Sequence, residues 1–455
     1  MKRCVVKKIG AILFLFLLIS GCGITPATES GDMGFAVVGK GETLQGQNTI
    51  SVFELTDDKE LVGYILDSCK NLKMKDDIQL RIPTGEREVY CFTAVRPENP
   101  DMQDYYDGFM ELYGEFFPGR ELNEEFLYYM GGSSEVIRDD SGKIIRDLYR
   151  VKDWKKKILS GKEKGIWFLY DESWHRVITE WEDCVCLEMG CPVGYGYTVL
   201  NKGKTLELSG TKITDYGSDT ERYPGLEGYD PSDYLDYVGT YHRDSTVSFR
   251  LADREVPICE AVEYFEEYIN GLPYPKDANA KTVVLDVDVY HVTGEIYGYN
   301  LITTKQYQGV DYDQMKPGTY DFILSDYAPL GGYAFMVESK DVDLLYGYYR
   351  MESTENAVAY EEVVGLESVA KRVSEEMSKE VVFEVERIDM VYTRIPKKTE
   401  QGYVDIENPS EEGSPSWKFT LFNPNNSTRY FVYVDALTGG NFRYYYQAVK
   451  WESQE

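Results

Sequence analysis

The stretch Ile258-Cys-Glu-Ala-Val-Glu-Tyr-Phe-Glu-Glu-Tyr-Ile269 has apolar residues at positions i, i+3, i+4, i+7 and i+11. The stretch Leu366-Glu-Ser-Val-Ala-Lys-Arg-Val-Ser-Glu-Glu-Met377 repeats that spacing further along the chain. Such spacing places the apolar side chains along one face of a helix. The sequence therefore predicts two amphipathic helices, each with one face available to cover a sheet.

Strand patterns follow each predicted helix. In residues 283–292, Val283, Leu285, Val287 and Val289 share one face of the predicted strand, and Asp286 and Asp288 lie on the other. Further strands are predicted over residues 299–310 and 333–350, and after the second helix over residues 381–395, 417–422, 430–436 and 442–447. Asn423-Pro-Asn-Asn-Ser427 and Thr438-Gly-Gly440 have the composition of hairpin turns.

These patterns predict an α+β fold in which antiparallel sheets are each packed by a helix. Two tandem helix-plus-meander units would form the C-terminal half, after a larger mixed N-terminal domain. The expected division is a signal peptide at 1–21, a flexible stalk at 22–48, an N-terminal α+β domain at 49–250, a first helix-plus-sheet unit at 251–357 and a second at 358–455.

The second unit resembles PepSY-type domains and the related extracytoplasmic regulators of wall-sensing histidine kinases of Gram-positive bacteria. The resemblance is carried by the helix and by three strand motifs: Ile388-Asp-Met-Val-Tyr392, Pro415-Ser-Trp-Lys-Phe419 and Tyr430-Phe-Val-Tyr-Val-Asp-Ala-Leu-Thr-Gly439. It covers about a fifth of the chain. The resemblance implies that this unit binds, inhibits or regulates a partner and does not catalyse a reaction. Asp435 and Gly439 could also simply build a hairpin that any meander could use.

The N-terminus has the pattern of a lipoprotein signal. Cations at residues 2, 3, 7 and 8 precede an apolar run at residues 9–19, which as a helix would span only about 16 Å of a ~30 Å hydrocarbon core. Ile19-Ser-Gly-Cys22 then resembles the lipobox of bacterial lipoproteins. This resemblance implies cleavage before Cys22, acylation of Cys22 and attachment to the outer face of a cell membrane.

Composition limits the classes of partner. The net charge of −30 disfavours nucleic acid, anionic lipid and anionic wall polymers as general partners. Local exceptions are possible: the cation-rich residues 143–164, with Trp154, could meet lipid headgroups or simply form a solvated helix face. The 39 tyrosines fit cross-strand pairs, and they also fit a surface for protein or sugar recognition.

Cysteines outside the signal peptide and the lipidation site are even in number, which allows disulfides in an exported protein. The candidates are Cys69, Cys91, Cys184, Cys186, Cys191 and Cys259. Cys184, Cys186 and Cys191 with His175 could alternatively hold a metal, but Cys-x-Cys spacing is unlike the wider pairs of zinc sites. We therefore expect disulfides, and neither metal nor cofactor.

Catalytic patterns are weak. Ser368-Val-Ala-Lys371 matches the Ser-x-x-Lys of serine β-lactamases, but no Lys-Thr-Gly occurs and Ser368 should point away from the sheet. His175, His242 and His291 form no catalytic spacing, and Asp230, Asp233 and Asp236 lack the pattern of a calcium loop. The sequence thus predicts a non-catalytic envelope lipoprotein that binds a protein or peptide. The alternatives are carbohydrate binding and a hydrolase whose site the sequence conceals.

Overall fold

A computed structural model defines the fold over most of the C-terminal half and parts of the N-terminal half. It describes residues 34–36, 48–95, 119, 128–130, 148–150, 166–170, 184–190, 195–201, 235–271, 280–313, 332–342, 344–350, 353–396 and 410–448.

The architecture is mainly β-sheet, with 55% strand and 18% helix. The prediction of an α+β fold with helix-packed antiparallel sheets is therefore wrong. The two helical stripes exist, but long strands dominate, and the sheets contain parallel as well as antiparallel pairs. Local periodicity found the helices, whereas it could not show how many strands join across distant parts of the chain.

The described part of the chain contains three α-helices: α1 (Lys59–Asp67), α2 (Ile258–Gly271) and α3 (Leu366–Glu376). Asp58 caps α1 by accepting hydrogen bonds from the backbone N–H groups of Glu60 and Leu61. The predicted stripes of α2 and α3 are buried, which confirms both helices and the faces that they present to the sheets. The buried residues are Ile258, Ala261, Val262, Phe265 and Ile269 in α2, and Leu366, Val369, Ala370 and Val373 in α3, with Met377 just beyond it.

The strands before residue 235 are β1 (Gly34–Ala36), β2 (Thr49–Ser51), β3 (Leu72–Arg81), β4 (Val89–Val95), β5 (Tyr128–Met130), β6 (Leu148–Arg150), β7 (Ile166–Tyr170), β8 (Cys184–Gly190) and β9 (Tyr195–Asn201). The next group is β10 (Asp236–His242), β11 (Ser248–Arg250), β12 (Glu255–Pro257), β13 (Lys281–Thr293), β14 (Ile296–Tyr307), β15 (Val310–Tyr312), β16 (Gly332–Met336) and β17 (Leu344–Arg350). The last group is β18 (Ser353–Tyr360), β19 (Glu362–Val364), β20 (Phe383–Pro396), β21 (Ser410–Asn423), β22 (Thr428–Asp435) and β23 (Arg443–Ala448).

One antiparallel sheet runs in the order β10-β13-β14-β16-β17-β9-β8-β7-β5-β6. A bulge between Val284 and Asp286 interrupts β13. As a result Leu285 is only half-buried, although alternation predicted it on the apolar face with Val287 and Val289, which are fully buried.

The sheet that contains the C-terminal strands also contains early parts of the chain. β20 pairs antiparallel with β21 on one side and parallel with β3 and β15 on the other, and β21 continues to β22 and β23. β4 pairs with both β18 and β21, and β2 pairs with β19. β15 connects the two sheets because it also pairs with β14.

The core beneath this second sheet brings together side chains from residues 52–94, 307–312 and 363–442. Trp417 is fully buried there, and its indole N–H donates to the carbonyl of Val364 at 2.9 Å. Because α3 and α1 both contribute to this core, residues of the early chain cover part of the surface that α3 alone would leave open.

The predicted hairpin at residues 438–440 is confirmed. The carboxylate of Asp435 accepts from the backbone N–H groups of Leu437 and Thr438 and from the Thr438 hydroxyl. Gly439 adopts φ +63°, which a residue without a side chain does at little cost. This chemistry sets the register in which β22 pairs with β23.

Candidate functional site

The most unusual polar feature in the described residues is a cluster of charges where β3, β13 and β20 approach each other. Arg387 donates two hydrogen bonds to the carboxylate of Asp286, from Nη2 to Oδ1 at 2.6 Å and from Nη1 to Oδ2 at 3.1 Å. Arg81 Nη2 lies 2.7 Å from the same Oδ1. The side chain of Arg81 is only 6% exposed and that of Asp286 17%, so one carboxylate contacts two largely desolvated cations.

Two neutral groups complete the contacts of the arginines. Arg387 Nε donates to Gln79 Oε1 at 2.9 Å. Arg81 Nε donates to His242 Nε2 at 3.3 Å, while His242 Nδ1 lies 3.1 Å from the exposed carboxylate of Asp244. Nε2 therefore carries no proton, and Nδ1 also lies 3.3 Å from the backbone nitrogen of Asp244, which fits a neutral imidazole.

The surroundings shift the protonation equilibria of the cluster. Burial, followed by the positive charge of Arg81, lowers the pKa of His242 to about 4. Burial alone would raise the pKa of Asp286, but the adjacent Arg81 and Arg387 outweigh it and hold that pKa well below its usual range. The cluster therefore contains an ionised aspartate and a neutral histidine at neutral pH.

Asp389 differs from Asp286 although both belong to the same group of charges. It stands on β20 between Arg81 of β3 and Lys418 of β21 in the strand register. Its side chain is 6% exposed, its Oδ1 lies 3.8 Å from Arg387 Nε, and that oxygen has no hydrogen-bond partner among the described residues. Burial raises the pKa of Asp389 against the opposing charge of Arg387, so its proton is held more firmly than usual.

The polar face of the second sheet continues from Asp389 towards β23. Lys418 Nζ lies 2.6 Å from Asp313 Oδ1 and over the rings of Phe431 and Tyr433, at 5.7 and 5.5 Å from their centroids. Arg443, on β23, also lies over the ring of Tyr433, at 5.1 Å from its centroid. Both cations are therefore engaged in contacts inside the protein. These contacts link the end of β15 to β21, β22 and β23.

The ion pairs of the cluster limit its possible chemical roles. Arg81, Arg387 and Lys418 each have an internal acidic partner, so none offers a free charge to a substrate. Within the described ranges, no group of three or more His, Cys, Asp or Glu side chains is placed to hold a metal ion. The geometry is that of an ionic clasp between the two sheets, and we use the name ionic clasp for Arg81, Asp286 and Arg387.

The candidate disulfide cysteines are spread over the molecule. Cys69, Cys91 and Cys259 carry free thiols; Cys69 is buried and the other two are half-buried. Burial raises the pKa of the Cys69 and Cys91 thiols, which makes them less reactive. Cys184 and Cys186 lie on β8, with side chains outside the described residues, as is all of Cys191. Disulfides that involve these three residues remain a prediction.

Other candidate residues do not converge. Ser368 is half-buried in the first turn of α3 and Lys371 is exposed. His291 Nε2 lies 2.7 Å from the carbonyl oxygen of Gly294, in a local contact at the end of β13. Asp236 begins β10 and is exposed. The lipidation candidate Cys22, with His175, Asp230, Asp233 and most of the cation-rich residues 143–164, lies outside the described residues.

The ionic clasp was missed from sequence, although part of its signal was present. Alternation correctly placed Asp286 on the polar face of its strand, and Arg387 and Asp389 likewise alternate with buried Ile388 and Met390. Charges inside an otherwise apolar strand indicate a paired, partly buried face. Nothing local, however, indicated that the partner of Asp286 was Arg81, 205 positions earlier.

Comparisons with known proteins leave the class of this chain open. No family model matches it, and no curated protein is similar to it. The crystal structure of an uncharacterized protein from Eubacterium rectale is similar with a TM-score of 0.45 and 11% identity, covering 81% of this chain and 90% of that one. A likeness at this level supports no argument about fold or function. In the described segments, no helix has the length and apolar character needed to cross a membrane.

Proposed function

We propose that this protein is an extracytoplasmic lipoprotein, anchored through Cys22, whose body binds another envelope protein or peptide without catalysing a reaction. The anchor is supported by the N-terminal sequence, with its cations, its short apolar run and Ile19-Ser-Gly-Cys22. The resemblance of the last unit to PepSY-type domains supports a binding or regulatory role.

The observation that carries the binding proposal is the outward face of α1. Val62 and Leu66 are the buried residues of this helix, yet Leu61 is 46% and Tyr64 77% exposed. At about 100° per residue, Leu61 and Tyr64 lie on the side opposite the buried pair, and their i, i+3 spacing makes them neighbours. A surface helix usually presents polar side chains there, so an apolar pair is typical of a helix that contacts a partner.

Charge defines what the partner should be like. The chain carries a net charge of −30, while the arginines of the ionic clasp are neutralised within the fold. An apolar contact centred on Tyr64 and surrounded by an acidic field would favour a partner with an apolar patch and basic residues around it.

In-cell photo-crosslinking tests this proposal. A photoreactive residue at position 64 should trap one discrete envelope protein or peptide, because it sits at the centre of the proposed contact. The matched control is a photoreactive residue at Glu263, an exposed position on α2, which should trap nothing above background.

The outcomes separate the proposed partner from its alternatives. Equal products from positions 64 and 263, or none from either, would contradict a protein contact at α1. Binding of the purified chain to a glycan in calorimetry, without any crosslinked protein, would replace the proposal with carbohydrate capture.

The anchor has its own test. Cys22→Ala should move the protein from the membrane fraction to the medium or the wash, since one acylated cysteine is the proposed attachment. A variant that sediments with membranes as completely as the wild type would overturn lipid anchoring and leave the binding proposal standing.

A further inference from the structure

Apolar side chains are exposed at the end of β18. Val358 is 52% and Tyr360 38% exposed, and every residue from 355 to 361 is exposed. Val358 is opposite Cys91 of β4, and the side chain of Tyr360 hydrogen-bonds with the thiol of Cys91, so both side chains lie on the same face of the sheet. The solvent-facing side of an antiparallel sheet usually carries polar residues, so an apolar pair in this position indicates a surface that another molecule covers.

Phe53 of the early chain adds a third apolar side chain. The backbone N–H of Val52 donates to the carbonyl of Glu361 at 2.8 Å, which extends the pairing of β2 with β19 by one residue. The same register places Phe53 next to Tyr360, where the chain turns into a short 3-10 helix, Val52–Glu54. Val52 is fully buried, whereas Phe53 is 62% exposed. We use the name β18 strip for the row of Phe53, Val358, Ala359 and Tyr360.

The main chain at Ala359 directs its N–H and C=O groups away from β4. Tyr90 is opposite Ala359 in the register, but the backbone N–H of Tyr90 donates to the hydroxyl of Tyr392 at 3.1 Å and so points away from β18. In an antiparallel pair, opposite residues either exchange both of their hydrogen bonds or exchange none. Tyr90 and Ala359 therefore form a pair without hydrogen bonds, and the polar groups of Ala359 point to the outer edge of β18.

That outer edge has no neighbouring strand at Ala359 in the described part of the chain. Glu361, two residues further on, uses the same edge to accept from Val52. The pairing ends there because the N–H of Phe53 donates to Ser51 Oγ at 3.3 Å and does not continue the ladder. Among the described residues, no backbone group hydrogen-bonds to Ala359 at this edge. The β18 strip therefore combines an open main-chain edge with an exposed apolar face, which are the two features that the addition of a strand requires.

The charge around the β18 strip is uniformly negative. Residues 49–58 and 353–364 contain no Lys or Arg. Their acidic residues are all exposed, and these are Glu54, Asp57, Asp58, Glu355, Glu361 and Glu362. If two copies of this chain paired here, these acids would face each other in molecules that each carry a net charge of −30. Like charges on opposite strands are destabilising, so the charge favours a cationic partner over a second copy.

We propose that the β18 strip binds an extended peptide segment of a partner in which basic and apolar residues alternate. The main chain of that segment pairs with Ala359, and its apolar side chains cover the apolar side chains of the strip. Its basic side chains, on the opposite face, lie near Glu361. Because the side chains of a strand alternate between two faces, this pattern selects the peptide. The proposal does not rest on the contact at α1, so either surface can be refuted without the other.

Fluorescence anisotropy of labelled peptides tests the proposal with the full-length chain, purified in detergent. The probe is a peptide of four Lys-Val repeats, which has the proposed alternation. The control peptide has the same sequence with every backbone nitrogen methylated, so it keeps the side chains and the charge but has no main-chain donor. We expect saturable binding of the probe, about tenfold tighter than binding of the control peptide.

Two variants locate the binding on the strip. Val358→Ser removes apolar contact area and should weaken binding of the probe about tenfold. Ala359→Pro removes the outward N–H, which the pairing with β4 does not use, and should weaken binding by a similar factor. The matched control is Val247→Ser, because Val247 is 46% exposed and directly precedes β11, and it should bind the probe as the wild type does. Circular dichroism checks that each variant is folded, and Val358→Ser alone is decisive if the proline variant is not.

Each result decides the question. Binding that depends on both the free main chain of the probe and the side chain of Val358 supports the proposal. Equal binding of the probe and the methylated peptide, or equal affinities of the Val358→Ser and Val247→Ser variants, shows only a general attraction of cations to an acidic protein and overturns it. Absence of saturable binding overturns it as well.

Photo-crosslinking from position 358 separates a peptide from a second copy of the chain. A photoreactive residue there should form an adduct with the probe, whereas one at position 247 should not. A crosslinked dimer of the chain, formed without peptide, assigns the β18 strip to a second copy and overturns the proposal. An adduct at position 358 together with no product from position 64 in cells supports the strip and refutes only the contact at α1.

Discussion

The regions around α2 and α3 share a sequence pattern, but different parts of the chain supply the contacts that complete each of them. α2 is fixed by its own neighbours: Asn270 Oδ1 accepts from the backbone N–H of Thr282 at 2.8 Å, and Glu266 Oε1 accepts from that of Val284 at 2.8 Å. The end of α3 is fixed by Asn71, whose Nδ2 donates to the carbonyls of Ser374 and Ser378 at 3.0 and 3.1 Å. The sequence separation is 12 residues in the first case and 303 in the second.

This difference shows that two helices with the same apolar pattern can be packed by quite different parts of the chain. The region around α2 obtains its contacts nearby along the chain, whereas the region around α3 needs β2, β3, β4 and α1 from the early chain. The ionic clasp then ties the two regions together, because Asp286 belongs to β13 and its partners to β3 and β20.

Breaking the ionic clasp should have the largest effect. Asp286→Ala leaves Arg81 and Arg387 largely buried without their shared carboxylate, and we expect the free energy of unfolding to fall by about 3–5 kcal/mol. Urea denaturation followed by circular dichroism measures this loss.

Asp389→Asn is the matched control for that change. Asp389 Oδ1 has no hydrogen-bond partner among the described residues and lies 3.8 Å from Arg387 Nε, so an amide of the same shape breaks no direct hydrogen bond of that oxygen and should change stability by less than about 1 kcal/mol. Equal losses in the two variants would show that Asp286 has no special role in joining the regions.

Acidification should weaken the same junction by a smaller amount. The pKa of His242 is lowered from 6.5 to about 4 in the folded protein. The unfolded chain therefore binds a proton between pH 6.5 and 4 that the folded chain does not, so stability falls across this window, by roughly 2–3 kcal/mol in total. Above pH 6.5 the residue is neutral in both states and contributes no pH dependence.

The measurement is urea denaturation at several pH values between 7.5 and 4. His242→Gln, whose amide oxygen can still accept from Arg81, should show a shallower loss of stability on acidification. His291→Gln is the control, because His291 contacts Gly294 and Tyr297 at the end of β13, away from the ionic clasp, and its curve should follow that of the wild type. Parallel curves for wild type and His242→Gln would remove His242 from the acid response.

The smallest losses of stability are expected from two asparagine variants, one at a contact between distant residues and one at a contact between nearby residues. Asn71→Ala and Asn270→Ala each remove several hydrogen bonds to backbone groups, and each should cost about 1–2 kcal/mol. In hydrogen exchange, Asn71→Ala should loosen α1 and α3 together, whereas Asn270→Ala should loosen α2 and the start of β13 alone. Protection lost in the same segments of both variants would contradict the difference between the two regions.

Local chemistry in the sequence was sufficient for several elements. The apolar residues of both helical stripes are buried, the strands after α3 lie close to their predicted positions, and Asp435 and Gly439 form the predicted turn. The predicted strand over residues 333–350 is instead two strands, β16 and β17.

Elements whose role depends on distant partners were not predicted. α1 has apolar residues on both faces and so shows no single stripe, and β3 contains the charged run Lys73-Met-Lys-Asp-Asp77, which does not resemble a buried strand. The parallel pairing of β3 with β20 and the charges of the ionic clasp depend on residues about 200 to 300 positions apart. Such pairings leave no periodic signal along the chain.

The parallel pair β3–β20 has a consequence for how the molecule is made. During synthesis from the N-terminus, residues 72–81 are made long before the strand that pairs with them, residues 383–396. Until that strand is made, the apolar side chains of the early chain remain exposed. Pairing strands so far apart in sequence also slows folding. Maturation of this protein should therefore be paced by the arrival of its last hundred residues, and truncation there should leave the beginning of the body, as well as its end, unfolded.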